Sequence, residues 1–264
     1  MRILVAPDSF GGTLTAHAAA AAIARGWGEG GDLDLAPMSD GGPGFVDVLS
    51  GHGEVREHVV PGPLGEPVTA RWRLDGSTAY VESAQACGLH LVARNDPEAA
   101  STRGVGMLLA AALAAGARRV VVGLGGSATT DGGAGLLSVQ GSVPAGVELV
   151  AATDVDNPLL GEQGAAAVYG PQKGADPASV ARLEERLRAF AAGRPEADLP
   201  GAGAAGGLGF ALFVLGATRV SGAELVAERV GLAARIAAAD LVLTGEGRFD
   251  RTSVRGKVVG TVAR

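Results

Sequence analysis

Cysteine is almost absent from this chain: Cys87 is the single one in 264 residues. That excludes an internal disulfide. With no secretory signal at the N-terminus, the expected compartment is the cytoplasm. Aromatic residues make up only 4% of the sequence. The core must then rest on Ala, Val and Leu, which suits helices packed on a sheet. No run of lysine and arginine stands out, and the net charge is −6, so no nucleic-acid partner is expected. Long apolar runs are missing too. Windows such as MLLAAALAAGA are too short and too rich in alanine to span a bilayer, so no membrane partner is expected. There is no G-x-x-x-x-G-K-[ST] segment, which excludes a P-loop. The histidines His17, His52, His58 and His90 are scattered without metal-ligand spacing.

What is abundant is glycine, with 43 residues. The chain is long enough for one large domain or two smaller ones with real cores. RILVA (2–6), ended by Pro7, reads as a buried strand, and a helix follows from about Thr13, with Thr13 or Thr15 as its cap. LDLAPM (33–38) is a second strand, and SDGGPGFVDVL turns through glycines into another helix. This β-α-β-α order signals a parallel sheet. EVREHVV, VTARWRL and STAYVES are separated by turn sequences and read as antiparallel strands. The parallel style then returns. It comprises a helix at about 103–115, the strand RRVVVGL, a helix from about 132 and the strand GVELVAATDV. Helices are expected over 177–191, 204–215, 222–230 and 232–238, then the strand in DLVLTGEG and a final helix in SVRGKVVGTVAR.

Several apolar runs end in loops of glycine plus an acid: Asp8, Asp40, Asp131, Asp154 with Asp156, and Glu246 with Asp250. In open α/β sheets, ligands bind beyond the carboxyl ends of the strands. Glycines there let backbone N–H groups approach a phosphate. Carboxylates there can hold Mg²⁺ or take a proton from an alcohol.

The segments APDSF, DGG.G, GLGGSATTDGGAG, ATDVDNPLLG..GAA.VYGPQKGA, PGAGAAGGLG and LVLTGEGR.D.....GK occur in that order. In this series the chain resembles the bacterial glycerate kinases that make 2-phosphoglycerate from ATP and D-glycerate. The matches run from residue 3 to residue 257. The resemblance implies an α/β fold in which a second, mixed α/β domain is inserted in a Rossmann-like parallel-sheet domain. Residues 1–60 and about 240–264 would form the first, and 61–239 the second. It also implies a cleft between them that binds ATP and Mg²⁺. Gly11 stands where the family usually has lysine, and Pro43 where it has glutamate. The segment VQGSVPAGVELV is shorter than usual, and the family continues past GEGR…GK. The expectation is therefore a fragment, or a shortened relative whose first domain lacks its C-terminal strands. A homodimer is the assembly considered for completing them.

Phosphoryl transfer needs positioning, metal and positive charge on the migrating group. By that standard the expected catalytic residues are Asp8, Asp131, Asp154, Lys173 and Arg248. One of the three aspartates would deprotonate or orient the 2-hydroxyl, and Lys173 or Arg248 would stabilise the moving phosphoryl group. The expected substrate contacts are Ser9, Asp40, Gly41, Gly42, Gly125, Gly126, Ser127, Asn157 and Glu246, with Lys257 a further anion contact. Asp156 and Asp250 are the expected metal ligands. Alternation in an extended strand would put Asp154 and Asp156 on one face. Each acid also has a plainer reading: a helix cap for Asp8 and Asp131, a turn for Asp40, an exposed turn before Pro158 for Asp154 and Asp156. A non-catalytic relative that binds a small anion or nucleotide is the second reading of the whole chain. The third is a dinucleotide-dependent oxidoreductase, resting only on GAGAAG (201–206). The strand that should precede that fingerprint is missing, which leaves a glycine cluster at a helix start.

Overall fold

The computed structural model describes residues 1–28, 30–249 and 257–264. In chain order its strands are β1 (Arg2–Val5), β2 (Asp32–Leu35), β3 (Glu54–Pro61), β4 (Pro67–Asp75), β5 (Thr78–Glu82), β6 (Arg119–Gly123), β7 (Glu148–Ala152), β8 (Thr218–Val220) and β9 (Leu241–Leu243). They form two sheets, of order β2-β1-β9 and β3-β4-β5-β6-β7-β8. The small sheet is wholly parallel, with Ile3 opposite Leu33 on one side and Leu241 on the other. In the large sheet β3, β4 and β5 run antiparallel, and β5 through β8 run parallel. This is the α/β architecture read from the sequence. The strand β8 was not read there, because its three residues TRV are too short to show a period.

The central parallel strands β1, β5, β6 and β7 are buried on both faces, as strands of a parallel sheet covered by helices are, while β3 at the edge is largely exposed. In β1, Ile3 and Val5 pack on the helix Ala16–Trp27, through Ala20, Ile23 and Trp27. Thr15 caps that helix by accepting from the Ala18 N–H at 3.1 Å. Leu4 and Ala6 face the other way, into a cluster that also holds Tyr80 of β5, Val121 of β6 and Val150 of β7. Ala223, Val226, Leu232 and Val258, from three short helices, fill the space between. The opposite face of the large sheet carries Val81, Val120, Val122 and Ala151 against Leu108, Leu109, Leu208 and Phe210. One continuous apolar layer therefore joins the two sheets and fixes the carboxyl ends of β1, β9, β5, β6 and β7 relative to each other.

Candidate active site

Two sets of loops meet at those strand ends. The first belongs to the small sheet. Pairing of β1 with β9 continues past both strands: the Ala6 N–H donates to the Leu243 carbonyl and the Asp8 N–H to the Gly245 carbonyl, each at 2.8 Å. On the other side the Met38 N–H donates to the Pro7 carbonyl at 2.9 Å. Asp8, Asp40 and Glu246 are thereby brought to one place. Burial, with the Asp40 and Glu246 carboxylates beside it, pushes the Asp8 carboxyl up to about 8, against the opposing pull of the Ser9 N–H and Lys257. Asp154 joins this group from β7. It accepts from the Ala223 N–H at 3.1 Å, and burial raises it to about 6, Asp40 adding to the rise. Glu246 has a buried Oε1 with no hydrogen-bond partner. Unpaired buried acids of one sign are costly without a cation or a proton.

The second set explains the glycines. The loop Asp40–Pro43 crosses the loop Gly123–Gly126 backbone against backbone. A Cβ on Gly41, which has φ +95°, would lie 2.7 Å from the Ala152 carbonyl oxygen; one on Gly125 would lie 2.6 Å from the Gly42 Cα. Side chains are absent here because two main chains occupy the space. Beyond the crossing, Lys173 is buried, 3% exposed. Its Nζ donates to Ser127 Oγ at 3.0 Å and to the Thr129 carbonyl at 2.6 Å. Both acceptors are neutral, and burial lowers the ammonium to about 8. The cluster GAGAAG packs on top. Ala205, Gly206 and Gly207 are left-handed, and a Cβ on Gly206 would stand 2.9 Å from Nζ. The glycines of that motif make room for Lys173; they do not open a dinucleotide site.

These loops line two adjoining cavities. The larger, about 720 Å³, is bounded by Ser9, Gly11, Thr13, Pro43, Glu82 and Gly126 among others. The smaller, about 150 Å³, is lined by Gly125, Ser127, Val155, Tyr169, Lys173 and Ala205. Both share Leu89 and Gly126. Other clefts, such as the one of about 390 Å³ lined by Tyr80, Arg119 and Arg229, include none of these strand-end acids.

Several expected roles change. Asp131 is a cap. Its carboxylate accepts from the Thr102 N–H and hydroxyl and from the Gly133 and Gly135 N–H groups, all between 2.8 and 3.1 Å. Three of these bonds end on Oδ2 and one on Oδ1, so the carboxylate is held as a cap. Replacing Asp131 by alanine is expected to destabilise the fold by about 2–4 kcal/mol, because four buried donors lose their acceptor; chemical denaturation measures this. Asp156 does not face Asp154. The strand β7 ends at Ala152, so alternation no longer applies, and Asp156 is 78% exposed and paired with Arg219 at 2.6 Å. Asn157 lines neither cavity. It accepts from the Tyr169 hydroxyl and donates to the Gln163 carbonyl, both at 2.7 Å. Arg248 is exposed, and Asp250 lies outside the described residues.

Sequence reasoning missed Glu82. It ends β5, lines the larger cavity and accepts from the Val46 N–H at 3.1 Å. Burial raises its carboxyl to about 7. The signal was present in YVES, an acid closing an apolar run, but no glycine follows it.

The molecule is thus an α/β protein with a cluster of acids at its strand ends and, in the neighbouring loops, two adjoining cavities, the smaller lined by a buried lysine. A family model described as the glycerate kinase family matches residues 3–143 and 142–264. The chain belongs to that family. It is 42% identical to a glycerate kinase of Bacillus subtilis, over 100% of this chain and 81% of that protein. It is 39% identical to the glycerate 2-kinase of Escherichia coli, over 98% and 80%. A crystal structure of a protein described as glycerate kinase 2 from Salmonella typhimurium LT2 superposes with a TM-score of 0.79. That match has 37% identity and covers 100% of this chain and 84% of the other. No helix among the described residues is long and apolar enough to cross a membrane.

Proposed function

We propose that this protein is a kinase that transfers the γ-phosphoryl group of ATP to the 2-hydroxyl of D-glycerate, giving 2-phosphoglycerate. The observation that carries the reading is the charge gathered by loops around two adjoining cavities: a buried ammonium with neutral hydrogen-bond partners lining the smaller, and strand-end acids next to Ser9 and Pro43 of the larger, where Asp40 and Glu246 help to raise Asp8.

In this reading the smaller cavity takes the hydroxy acid. Lys173, Ser127 and the backbone of Gly125 and Gly126 hold its carboxylate, since a buried ammonium whose direct partners are neutral favours an anion. The larger cavity, next to Ser9 and Gly44, takes the nucleotide. The acid's hydroxyl then lies by the shared wall at Gly126. Asp8, with a carboxyl lifted toward neutrality, accepts its proton as the oxygen attacks, and a base with a pKa near the working pH is the efficient one. Asp40 and Asp154 fix the geometry around Asp8.

The donor set also fits Mg²⁺, which usually takes one or two carboxylates together with substrate phosphates. Glu246, with its orphaned Oε1, and Asp40 would hold it. When bound, Mg²⁺ neutralises charge on the phosphates.

Gly11 favours a second reading, a relative that binds without turnover. It has φ +50° and open space where a side chain would be, so this loop offers no cation at that point. ADP release separates the two. With ATP and Mg²⁺, the proposed activity requires release that depends on D-glycerate. A thermal shift with both ligands and no release favours binding alone.

A further inference from the structure

We infer that Tyr169, held in place by Asn157, is the wall that limits how long an acid the smaller cavity admits. The inference rests on the proposed function only for the identity of the acid.

The smaller cavity shares Leu89 and Gly126 with the larger. The groups that grip an anion, Ser127 and Lys173, line it together with Val155, Tyr169 and Gln172. An acid held by Lys173 with its hydroxyl toward the shared wall would set its remaining carbons against the rest of that lining, which includes Tyr169. At about 150 Å³ against about 720 Å³ for its neighbour, the smaller cavity is the one suited to a small acid.

Tyr169 is suited to act as a stop because its ring cannot swing away freely. Its hydroxyl donates to Asn157 Oδ1 at 2.7 Å, and Asn157 Nδ2 is itself fixed on the Gln163 carbonyl at 2.7 Å. The ring closes the helix Ala165–Tyr169, whose first residues, Ala165 and Ala166, are fully buried. Both ends of the side chain are thus anchored. Asn157 is a positioning residue in this account: it touches Tyr169, and Tyr169 meets the acid. The main-chain carbonyl of Asn157 also accepts from the Gly203 N–H at 2.9 Å, which ties the stop to the loop that covers Lys173.

The test compares D-glycerate with its four- and five-carbon aldonate homologues, by turnover with ATP and by direct titration without nucleotide. For the wild type, kcat/KM and affinity are expected to fall at least about tenfold for each carbon added. In Tyr169→Ala and Tyr169→Leu the ratio between three and five carbons should shrink to within about threefold, mostly through KM, because the wall that discriminates by about tenfold or more per carbon is gone. Asn157→Ala should shift the ratio in the same direction and less far. Tyr169→Phe, which keeps the ring and loses its tether, should match Asn157→Ala. Ratios are used because a general loss of folded protein lowers both substrates equally and leaves them unchanged. An unchanged ratio in both Tyr169 variants, or a wild type that accepts five carbons as well as three, overturns the inference while leaving the kinase reading intact. Size-selective binding that relaxes in Tyr169→Ala, without any turnover, supports the inference and sinks the kinase reading.

Discussion

Replacing Lys173 by methionine should lower kcat/KM for the hydroxy acid at least about 100-fold, in the range found when one preorganised charge or donor is removed from an active site. The ammonium's two hydrogen-bond partners, Ser127 Oγ and the Thr129 carbonyl, are neutral, and the capped Asp131 carboxylate acts on it only weakly against burial. Its burial lowers it to about 8, so it retains its proton at neutral pH but at a cost in stability. Methionine fills much the same volume without a charge. The fold should therefore survive: removing a buried charge whose burial outweighs its one nearby carboxylate, Asp131, offsets the two acceptors left unpaired, each worth about 1–3 kcal/mol. The measurement is a pair of curves, turnover against acid concentration and thermal unfolding without ligand. A methionine variant with near-normal kcat/KM would remove Lys173 from the site. A variant that does not fold would show that the lysine is structural.

Replacing Asp8 by asparagine should move activity and stability in opposite directions. Turnover is expected to fall about 10²–10⁴-fold, the usual contribution of a positioned base. Stability should rise. The carboxyl ionises at its ordinary 3.8 in the unfolded chain and at about 8 in the folded one. Between those values the folded protein binds more protons than the unfolded chain, so wild-type stability falls as pH rises through that window. Each unit of such a shift costs about 1.4 kcal/mol once the group is ionised. Asparagine has nothing to ionise. In metal-free buffer with chelator, Asp8→Asn should melt well above the wild type at pH 8 and close to it at pH 4. A variant less stable than the wild type at pH 8 would mean that the Asp8 carboxylate is paired in a way the Asp40 and Glu246 neighbours do not suggest.

The fold was legible where periods were long. The buried runs RILVA and RRVVVGL, the glycine-terminated turns and the three antiparallel segments each appear as strands close to where the sequence puts them. The start of the first helix resolves to the cap at Thr15 rather than Thr13. What the sequence hid is set by distant contacts. The helix Ala204–Val214 begins with three left-handed residues because Thr129 and Lys173 lie against it, and neither is near it in sequence.

Legibility of the site divides along the same line. Asp8, Asp40, Asp154 and Glu246 do converge, because strand ends of parallel sheets share an edge. Lys173 does reach Ser127, across 46 positions. Asp131 looked identical to the others as an acid among glycines. It differs only in having Thr102 and two amides within reach, which no local pattern reveals. Asp156 failed because the alternation was extended past Ala152, where the strand stops. Glu82 was overlooked because its loop is fixed by hydrogen bonds to Val46 rather than by glycine.

The most direct test of a single cleft serving nucleotide and hydroxy acid together is ADP release from ATP and Mg²⁺, with and without D-glycerate, for the wild type, Asp8→Asn and Lys173→Met in parallel. The account predicts release that requires D-glycerate in the wild type and is lost in both variants, although their mutated residues lie in loops of different sheets. Release by the wild type that is no faster with D-glycerate than without it would contradict the account.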